Sequence, residues 1–287
     1  MIEGLRLAVS NIAWNAGEDA EIATLLRAEG CTGVEIAPTK WRERPLEASH
    51  ADVTAYRAWW EERGLRIIAM QALLFGRTDL QLFGTSRARE EMLDYLRRVI
   101  DLGAALGATA LVFGSPKNRA RGTLPPGDAT TIGIPFFRAL GEHAAATDVA
   151  FCIEPNPPAY GCDFITTLSE AVDLCERVAS GGFRVHGDLG ALTMNHEPLL
   201  ETLTAAAPYL GHFHISEPEL AEIGTGAADH AAAAEALHEI GYAGWLSIEM
   251  RAATHLSAEP LRRAVQLAKA VYDGEREAGS GKRRANR

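Results

Sequence analysis

Four hydrophobic segments decide the fold, and each contains an ionisable residue near its end: CIEPNP (152–157), VHGDLG (185–190), HFHISEP (212–218) and LSIEMR (246–251). The ionisable residues are Glu154, Asp188, His214 and Glu249, which follow one another at intervals of 34, 26 and 35 residues. An interval of about 30 residues is typical of one β-strand together with the helix that follows it in a parallel α/β protein. The four segments therefore predict four consecutive βα units.

The same alternation extends over the whole chain. Short apolar segments typical of strands occur at 5–10, 33–37, 65–70, 110–114, 149–154, 183–188, 210–216 and 245–250. Segments with helical periodicity lie between and after them, at 18–29, 50–63, 86–106, 131–146, 167–179, 197–206, 230–240 and 258–272. Eight such pairs predict a single (β/α)8 TIM barrel over residues 1–273. The alternative is a doubly wound open sheet, but SNIAWNAGEDAE (10–21) after the first strand lacks its Gly-rich turn.

The amino-acid composition and net charge argue against several classes of function. The chain has 287 residues with 47% hydrophobic and 23% charged residues, which is typical of a globular protein. A formal net charge of −10 argues against nucleic-acid binding, because a protein that neutralises phosphates needs a basic face. We expect no membrane span and no signal peptide, and four cysteines without a CxxC spacing favour a cytoplasmic location. The segment 274–287, GEREAGSGKRRANR, is predicted to be a disordered basic C-terminal tail.

The four strand-end residues predict a metal site. In a TIM barrel the carboxyl ends of the strands meet on one face, so Glu154, Asp188, His214 and Glu249 are expected to converge there. Three carboxylates and one imidazole that converge on one point would repel one another unless a cation lay between them. The simpler alternative is that the four residues form separate salt bridges at the rim of the barrel. Three oxygens and one nitrogen suit one divalent ion, Mn²⁺ before Co²⁺, Mg²⁺ or Zn²⁺.

A second layer of side chains lies two positions earlier on the same strands. Because side chains alternate along a strand, Cys152, His186, His212 and Ser247 should also point into the barrel. The two histidines are interpreted mainly as buried, hydrogen-bonded core residues, although either could orient the substrate or a metal-binding carboxylate.

These motifs, with GTG (224–226) and GYAGWLSIE (241–249), resemble the xylose isomerase-like TIM-barrel family, which includes sugar and sugar phosphate isomerases and epimerases. The resemblance is strongest to ketose 3-epimerases. It implies that Glu154, Asp188, His214 and Glu249 hold one divalent metal, that both glutamates move protons, and that Glu217 contacts the substrate. Two sugar-holding residues of those epimerases, a His and an Arg, are replaced here by Ala191 and Leu220.

The expected reaction is isomerisation or epimerisation of a sugar or sugar phosphate through an enediolate, with Glu154 and Glu249 as acid and base. Dehydration of a sugar-like or cyclitol-like substrate is the main alternative, because the same enediolate can expel a β-hydroxyl. A non-catalytic sugar-binding barrel is a further alternative. The endonuclease branch of the family is disfavoured by the acidic composition and by Ala191, which removes one candidate zinc ligand.

Residues at the remaining strand ends are expected to select a small, sugar-like substrate. The predicted substrate-binding residues are Glu217, His186, Asn156, Gln71, Glu35, Trp14, Lys117 and Arg251. Lys117, Arg119 and Arg251 suit a phosphate or carboxylate, and Trp14 suits an apolar wall against a sugar ring. No nucleic-acid or membrane partner is expected. The sequence leaves the oligomeric state open, a homo-oligomer included.

Overall fold

The computed structural model describes residues 5–254 and 257–273. Eight parallel strands pair in sequence order, and β8 closes the barrel against β1. The strands are β1 Leu7–Ser10, β2 Gly33–Ile36, β3 Arg66–Met70, β4 Ala110–Phe113, β5 Ala150–Ile153, β6 Phe183–Asp188, β7 Leu210–Ser216 and β8 Leu246–Glu249. The predicted (β/α)8 barrel is therefore confirmed.

Helices connect successive strands. They are α1 Asp19–Ala28, α2 Pro38–Trp41, α3 His50–Glu61, α4 Ser86–Leu106, α5 Pro126–Ala145, α6 Leu168–Val178, α7 Leu189–Met194, α8 Leu199–Ala206, α9 His230–Glu239 and α10 Ala258–Tyr272. Three short 3-10 turns begin at a proline directly beyond β4, β5 and β7: Pro116–Arg119, Pro158–Tyr160 and Pro218–Leu220. Among the described residues, no helix is long and apolar enough to cross a membrane.

The main core fills the space between the strands and the helices. In α6, for example, Leu168, Ala171, Leu174 and Val178 are buried, a spacing of three to four residues that gives the helix one apolar face. The N-cap Thr167 accepts a hydrogen bond from the Glu170 amide and so satisfies one free donor at the helix start. The helix is thereby fixed at its first turn and along its buried side.

The inside of the barrel is divided into an apolar lower part and a polar upper part. Small side chains, among them Ala8, Ala69, Ala110 and Cys152, form a separate buried cluster against which Trp245 packs. The carboxyl ends of the strands carry buried polar side chains instead, at Ser10, Glu35, Asp188, His214, Ser216 and Glu249. In the described part of the barrel, these buried polar side chains therefore lie at the carboxyl ends of the strands, which is where the sites of TIM barrels form.

Three helical elements differ from the sequence-based prediction. One of them, the single-turn helix α2, was not predicted and begins at Pro38, a residue suited to the first helical position. Helix α5 begins at Pro126 rather than at residue 131. Proline is tolerated at this position because backbone N–H groups of the first helical turn have no acceptor within the helix, so the missing N–H costs no hydrogen bond. Helix α7 was not predicted, and it forms because the Asp188 side chain caps it. The predicted disordered tail, 274–287, lies outside the described residues.

Candidate active site

A cavity of about 600 Å³ opens at the carboxyl ends of the strands. Three of the predicted metal ligands, Glu154, Asp188 and Glu249, line it. Its other walls come from the loops after β3 to β8 and include Gln71, Ser115, Asn156, Tyr160, Ala191, Met194, Leu220 and Arg251. A concave site of this size, with convergent charged groups, is the usual form of a small-molecule site.

Asp188 is held rigidly at the end of β6. Its Oδ1 accepts a hydrogen bond from the Ala191 amide at 2.7 Å, at the start of α7. Its Oδ2 accepts one at 2.7 Å from the Ser216 hydroxyl, which in turn accepts from the Gly190 amide at 2.9 Å. The carboxylate thus lies at a helix N-terminus, where the amide dipoles favour negative charge.

His214 lies fully buried directly behind the cavity wall. Its Nε2 is 2.9 Å from Oε2 of Glu35 and donates to that carboxylate. Its Nδ1 has no hydrogen-bond partner in the described residues, although it lies 3.2 Å from Glu249 Oε2 and 3.7 Å from Asp188 Oδ2. A buried ring nitrogen that faces two carboxylates without a hydrogen bond is available as a ligand.

Glu154, on the loop directly after β5, approaches the end of β4 very closely. A methyl group at Gly114 would collide with Oε2 of Glu154, so an alanine there would force this carboxylate out of its position. Burial, together with the charges of Glu249 and Asp188, raises the pKa of Glu154 to about 8. Burial also raises the pKa of Glu249. Both shifts favour the protonated form of these carboxyl groups more than water does.

The donor set fits a divalent cation. The Nδ1 of His214 lies 3.7 Å from Oδ2 of Asp188 and 3.2 Å from Oε2 of Glu249. Glu154 lines the same cavity. Mutual repulsion of the carboxylates and the unpartnered Nδ1 would both be relieved by a bound ion. Two further groups could also contribute ligands, Glu35 with His212 and His214, and His186 with Asp188 and His214.

Residues 23–271 match the sequence profile of the xylose isomerase-like TIM barrel. The chain belongs to this family. No curated protein matches the sequence.

Solved structures of similar fold agree with that family. D-psicose 3-epimerase from Clostridium cellulolyticum H10 superposes with a TM-score of 0.80 and 16% identity over 94% of this chain and 100% of that chain. The E. coli 3-keto-D-glucoside 4-epimerase gives 0.76 and 19% over 93% of this chain and 99% of that one. An L-ribulose 3-epimerase gives 0.70 and 20%, covering 91% and 86%.

In this xylose isomerase-like barrel, four predicted substrate residues line the cavity: Gln71, Asn156, Arg251 and Glu217. The Gln71 amide donates to the Ser10 hydroxyl at 2.6 Å, which fixes its orientation. The Arg251 side chain lies exposed at the rim, 3.3 Å from the main-chain oxygen of Glu219. The side chains of Gln71, Asn156 and Arg251 therefore lie at the cavity, and their contact with a substrate stays a prediction.

Two other predicted substrate residues do not face the cavity. Trp14 is fully buried, packs against Trp60, and donates its indole N–H to Asp19 Oδ1 at 2.7 Å. Because both its ring and its N–H are occupied, it offers no wall to a sugar ring. Lys117 is exposed on the 3-10 turn Pro116–Arg119 and does not line the cavity.

Glu35 and His186 are fully buried beneath the cavity and do not line it. Both ring nitrogens of His186 lack a hydrogen-bond partner in the described residues. Burial, reinforced by the neighbouring His214 and His212, lowers the pKa of His186 well below its ordinary value, so the ring is neutral. Neither side chain is therefore exposed to this cavity.

Glu217 lines the cavity, but its carboxylate is turned toward the following loop. Oε1 accepts from the Gly224 amide at 3.0 Å and lies 3.1 Å from His230 Nε2, while Oε2 accepts from the Ala228 amide at 3.0 Å. The carboxylate is fully buried and its oxygens already have donors. Its place in the structure is that of a loop anchor.

Two contributors, Ser216 and Tyr160, were not singled out from the sequence, and a third residue, Arg119, has a different role from the expected one. Ser216 orients Asp188, and it could have been found because it lies two residues after His214 and therefore on the same side of β7. Tyr160 lines the cavity and accepts a hydrogen bond from the Glu219 amide at 2.7 Å. Arg119, considered an anion binder, is instead fully buried and bonded to main-chain oxygens around β5. No sequence signal distinguishes it from exposed Lys117.

Proposed function

We propose that this chain is a divalent-metal-dependent isomerase or epimerase of a sugar or sugar-like substrate. The observation that supports it most is one cavity in which Glu154, Asp188 and Glu249 meet beside the unpartnered Nδ1 of His214. The structural neighbours whose printed names identify them as sugar epimerases support the same substrate class.

The proposed division of labour follows from how each side chain is held. Asp188 and His214 have fixed orientations and would hold the ion, with Glu154 and Glu249 completing the set. A divalent cation, when bound, polarises a substrate carbonyl and stabilises negative charge that develops beside it. Glu154 and Glu249 lie at the ends of non-adjacent strands, so one can remove a proton from the substrate carbon and the other can return one.

The substrate is proposed to be small, polyhydroxylated and, where anionic, oriented by Arg251 at the rim. Gln71 and Asn156 offer amide groups to hydroxyls. Ala191 and Leu220 line the cavity as apolar residues, at the two positions where the resemblance to ketose 3-epimerases implies a sugar-holding His and Arg. We therefore propose that the part of the substrate near them is recognised differently from the sugar of those enzymes.

Solvent deuterium uptake tests the proposal. Metal-loaded protein is incubated in D₂O with ketoses, aldoses, inososes and their phosphates, and the products are analysed by mass spectrometry. Deuterium at a carbon next to the carbonyl, with an isomeric product, is expected. Loss of water would instead identify a dehydratase, and ligand binding without exchange a non-catalytic barrel.

The two glutamates are predicted to be non-equivalent proton carriers. Glu154→Gln and Glu249→Gln keep the side-chain volume and an oxygen but remove the base, so each should lower net conversion by about 10²–10⁴-fold. One variant should lose deuterium exchange completely, while the other retains exchange without product. Lys117→Gln, outside the cavity, is the control. Near-normal turnover of both fully metal-loaded glutamine variants would overturn the mechanism.

A further inference from the structure

Glu35 is a buried carboxylate, located on β2, that none of the proposed chemical steps uses. Its Oε2 lies 2.9 Å from His214 Nε2 and 3.5 Å from His212 Nε2, and accepts from the Ser247 hydroxyl at 2.6 Å. It is fully buried below the cavity. We propose that Glu35 is a positioning residue that holds His214 in one tautomer and one ring orientation, so that Nδ1 is presented to the cation.

The geometry of the ring supports this assignment. A neutral imidazole carries one N–H and one lone pair. Glu35 takes the N–H at Nε2, which leaves the lone pair on Nδ1, the nitrogen that faces Asp188 and Glu249. Histidine ligands of protein metal sites commonly donate their second nitrogen to a carboxylate in this way, which fixes the ring and increases its basicity as a ligand.

Burial excludes two other roles for Glu35. A substrate ligand must reach the cavity, and Glu35 has no exposed surface and does not line it. A passive core residue would not need a charge, because an unpaired buried carboxylate is costly. The donors around Oε2 compensate that charge, and His214 connects Glu35 to the cavity carboxylates Glu249 and Asp188.

This role rests on the proposed metal site, and its test separates the two. Mn²⁺ and Zn²⁺ affinities are measured by calorimetry for the wild type, Glu35→Gln and Ser247→Ala. Loss of the carboxylate charge should weaken binding by about 10–100-fold. Ser247→Ala removes a hydrogen bond to the same oxygen but leaves the Glu35–His214 contact, so it should have a smaller effect.

NMR of the ¹⁵N-histidine-labelled, Zn²⁺-loaded wild type gives a readout that needs no variant. The His214 proton is expected on Nε2, with Nδ1 bonded to zinc. Zinc on Nε2, or equal affinities of wild type and Glu35→Gln, would overturn the role of Glu35 alone. A wild type that binds no divalent cation would overturn the proposed function and this role with it.

Discussion

Arg119 is a charged residue enclosed in the protein interior. Its guanidinium donates to main-chain oxygens and to one side chain around the end of β5: Gly114, Phe164, Ile165 and Glu154 through their carbonyls, and Asn156 through Oδ1. Because a planar group with five donors matches these fixed acceptors, lysine cannot replace it. Arg119 thus positions the two residues of this segment that line the cavity, Glu154 and Asn156.

Replacing Arg119 tests that interpretation. Arg119→Met removes the charge and leaves several buried carbonyls without donors, so the free energy of unfolding should fall by about 3–5 kcal/mol. Urea denaturation measures it. Lys117→Met, two residues away and exposed, should stay within about 0.5 kcal/mol of the wild type. Equal stability of both variants would contradict the role of Arg119.

At the level of single residues, the sequence predicts positions better than orientations. Strand periodicity and the 30-residue interval place Asp188, His214 and Glu249 at strand ends, where the structure has them within 3.7 Å of one nitrogen. The orientation of Trp14 depends instead on a hydrogen bond to Asp19 and on packing against Trp60, which no periodicity encodes. Loop side chains are therefore the part of the site that sequence analysis could not resolve.

At the level of elements, strands were predicted to within two residues at either end, because each is a buried apolar segment. Helices were less certain at their starts. The first turn of α5 contains Pro126 and Gly127 and follows Pro125, and in a sequence these residues are typical of a loop. The cap of α7 is Asp188, whose side chain was predicted only as a metal ligand. The sequence does not show that Asp188, predicted as a metal ligand, also caps a helix.

The loop between β7 and α9 is predicted to depend on Glu217. Glu217→Gln replaces an oxygen by an amide group that cannot accept from the Gly224 or Ala228 amides, so one of these bonds is lost. We expect a cost of about 1–3 kcal/mol and faster hydrogen exchange confined to these amides. Glu219→Gln, on an exposed neighbour, should change neither. Unchanged exchange in Glu217→Gln would show that the loop is held by other contacts.

At the level of the whole molecule, a closed barrel brings residues from distant parts of the chain to one charged point. Glu35 and His214, which are 179 positions apart, share a hydrogen bond. The carboxylates at the carboxyl ends of β5, β6 and β8 surround the same cavity. Folding therefore concentrates like charges that the unfolded chain keeps apart. The energetic consequence is a stability that depends on pH and on cations.

The metal-free protein is expected to lose stability as the pH rises. The pKa of Glu154 is about 8 in the folded state against 4.5 for the ordinary group, so between these values the folded state binds more protons than the unfolded state. His214 acts in the same direction above about pH 6.5, because Glu35 and Glu249 outweigh burial and raise its pKa. Glu35 acts oppositely, since the two histidines outweigh burial and lower its pKa, but its contribution is lost only below about pH 4.5.

Thermal unfolding of chelator-treated protein between about pH 5.5 and pH 8.5 measures this effect, and the Tm should fall over that range. Glu154→Gln removes the group with the raised pKa, so the Tm should depend less steeply on pH. This comparison distinguishes the effect of the cavity carboxylates from the effect of surface charges. A divalent cation neutralises the same carboxylates, so its stabilisation should be larger near pH 8 than near pH 5.5. A Tm that rises with pH, or an equal slope in Glu154→Gln, would mean that the cavity carboxylates are not the groups that titrate.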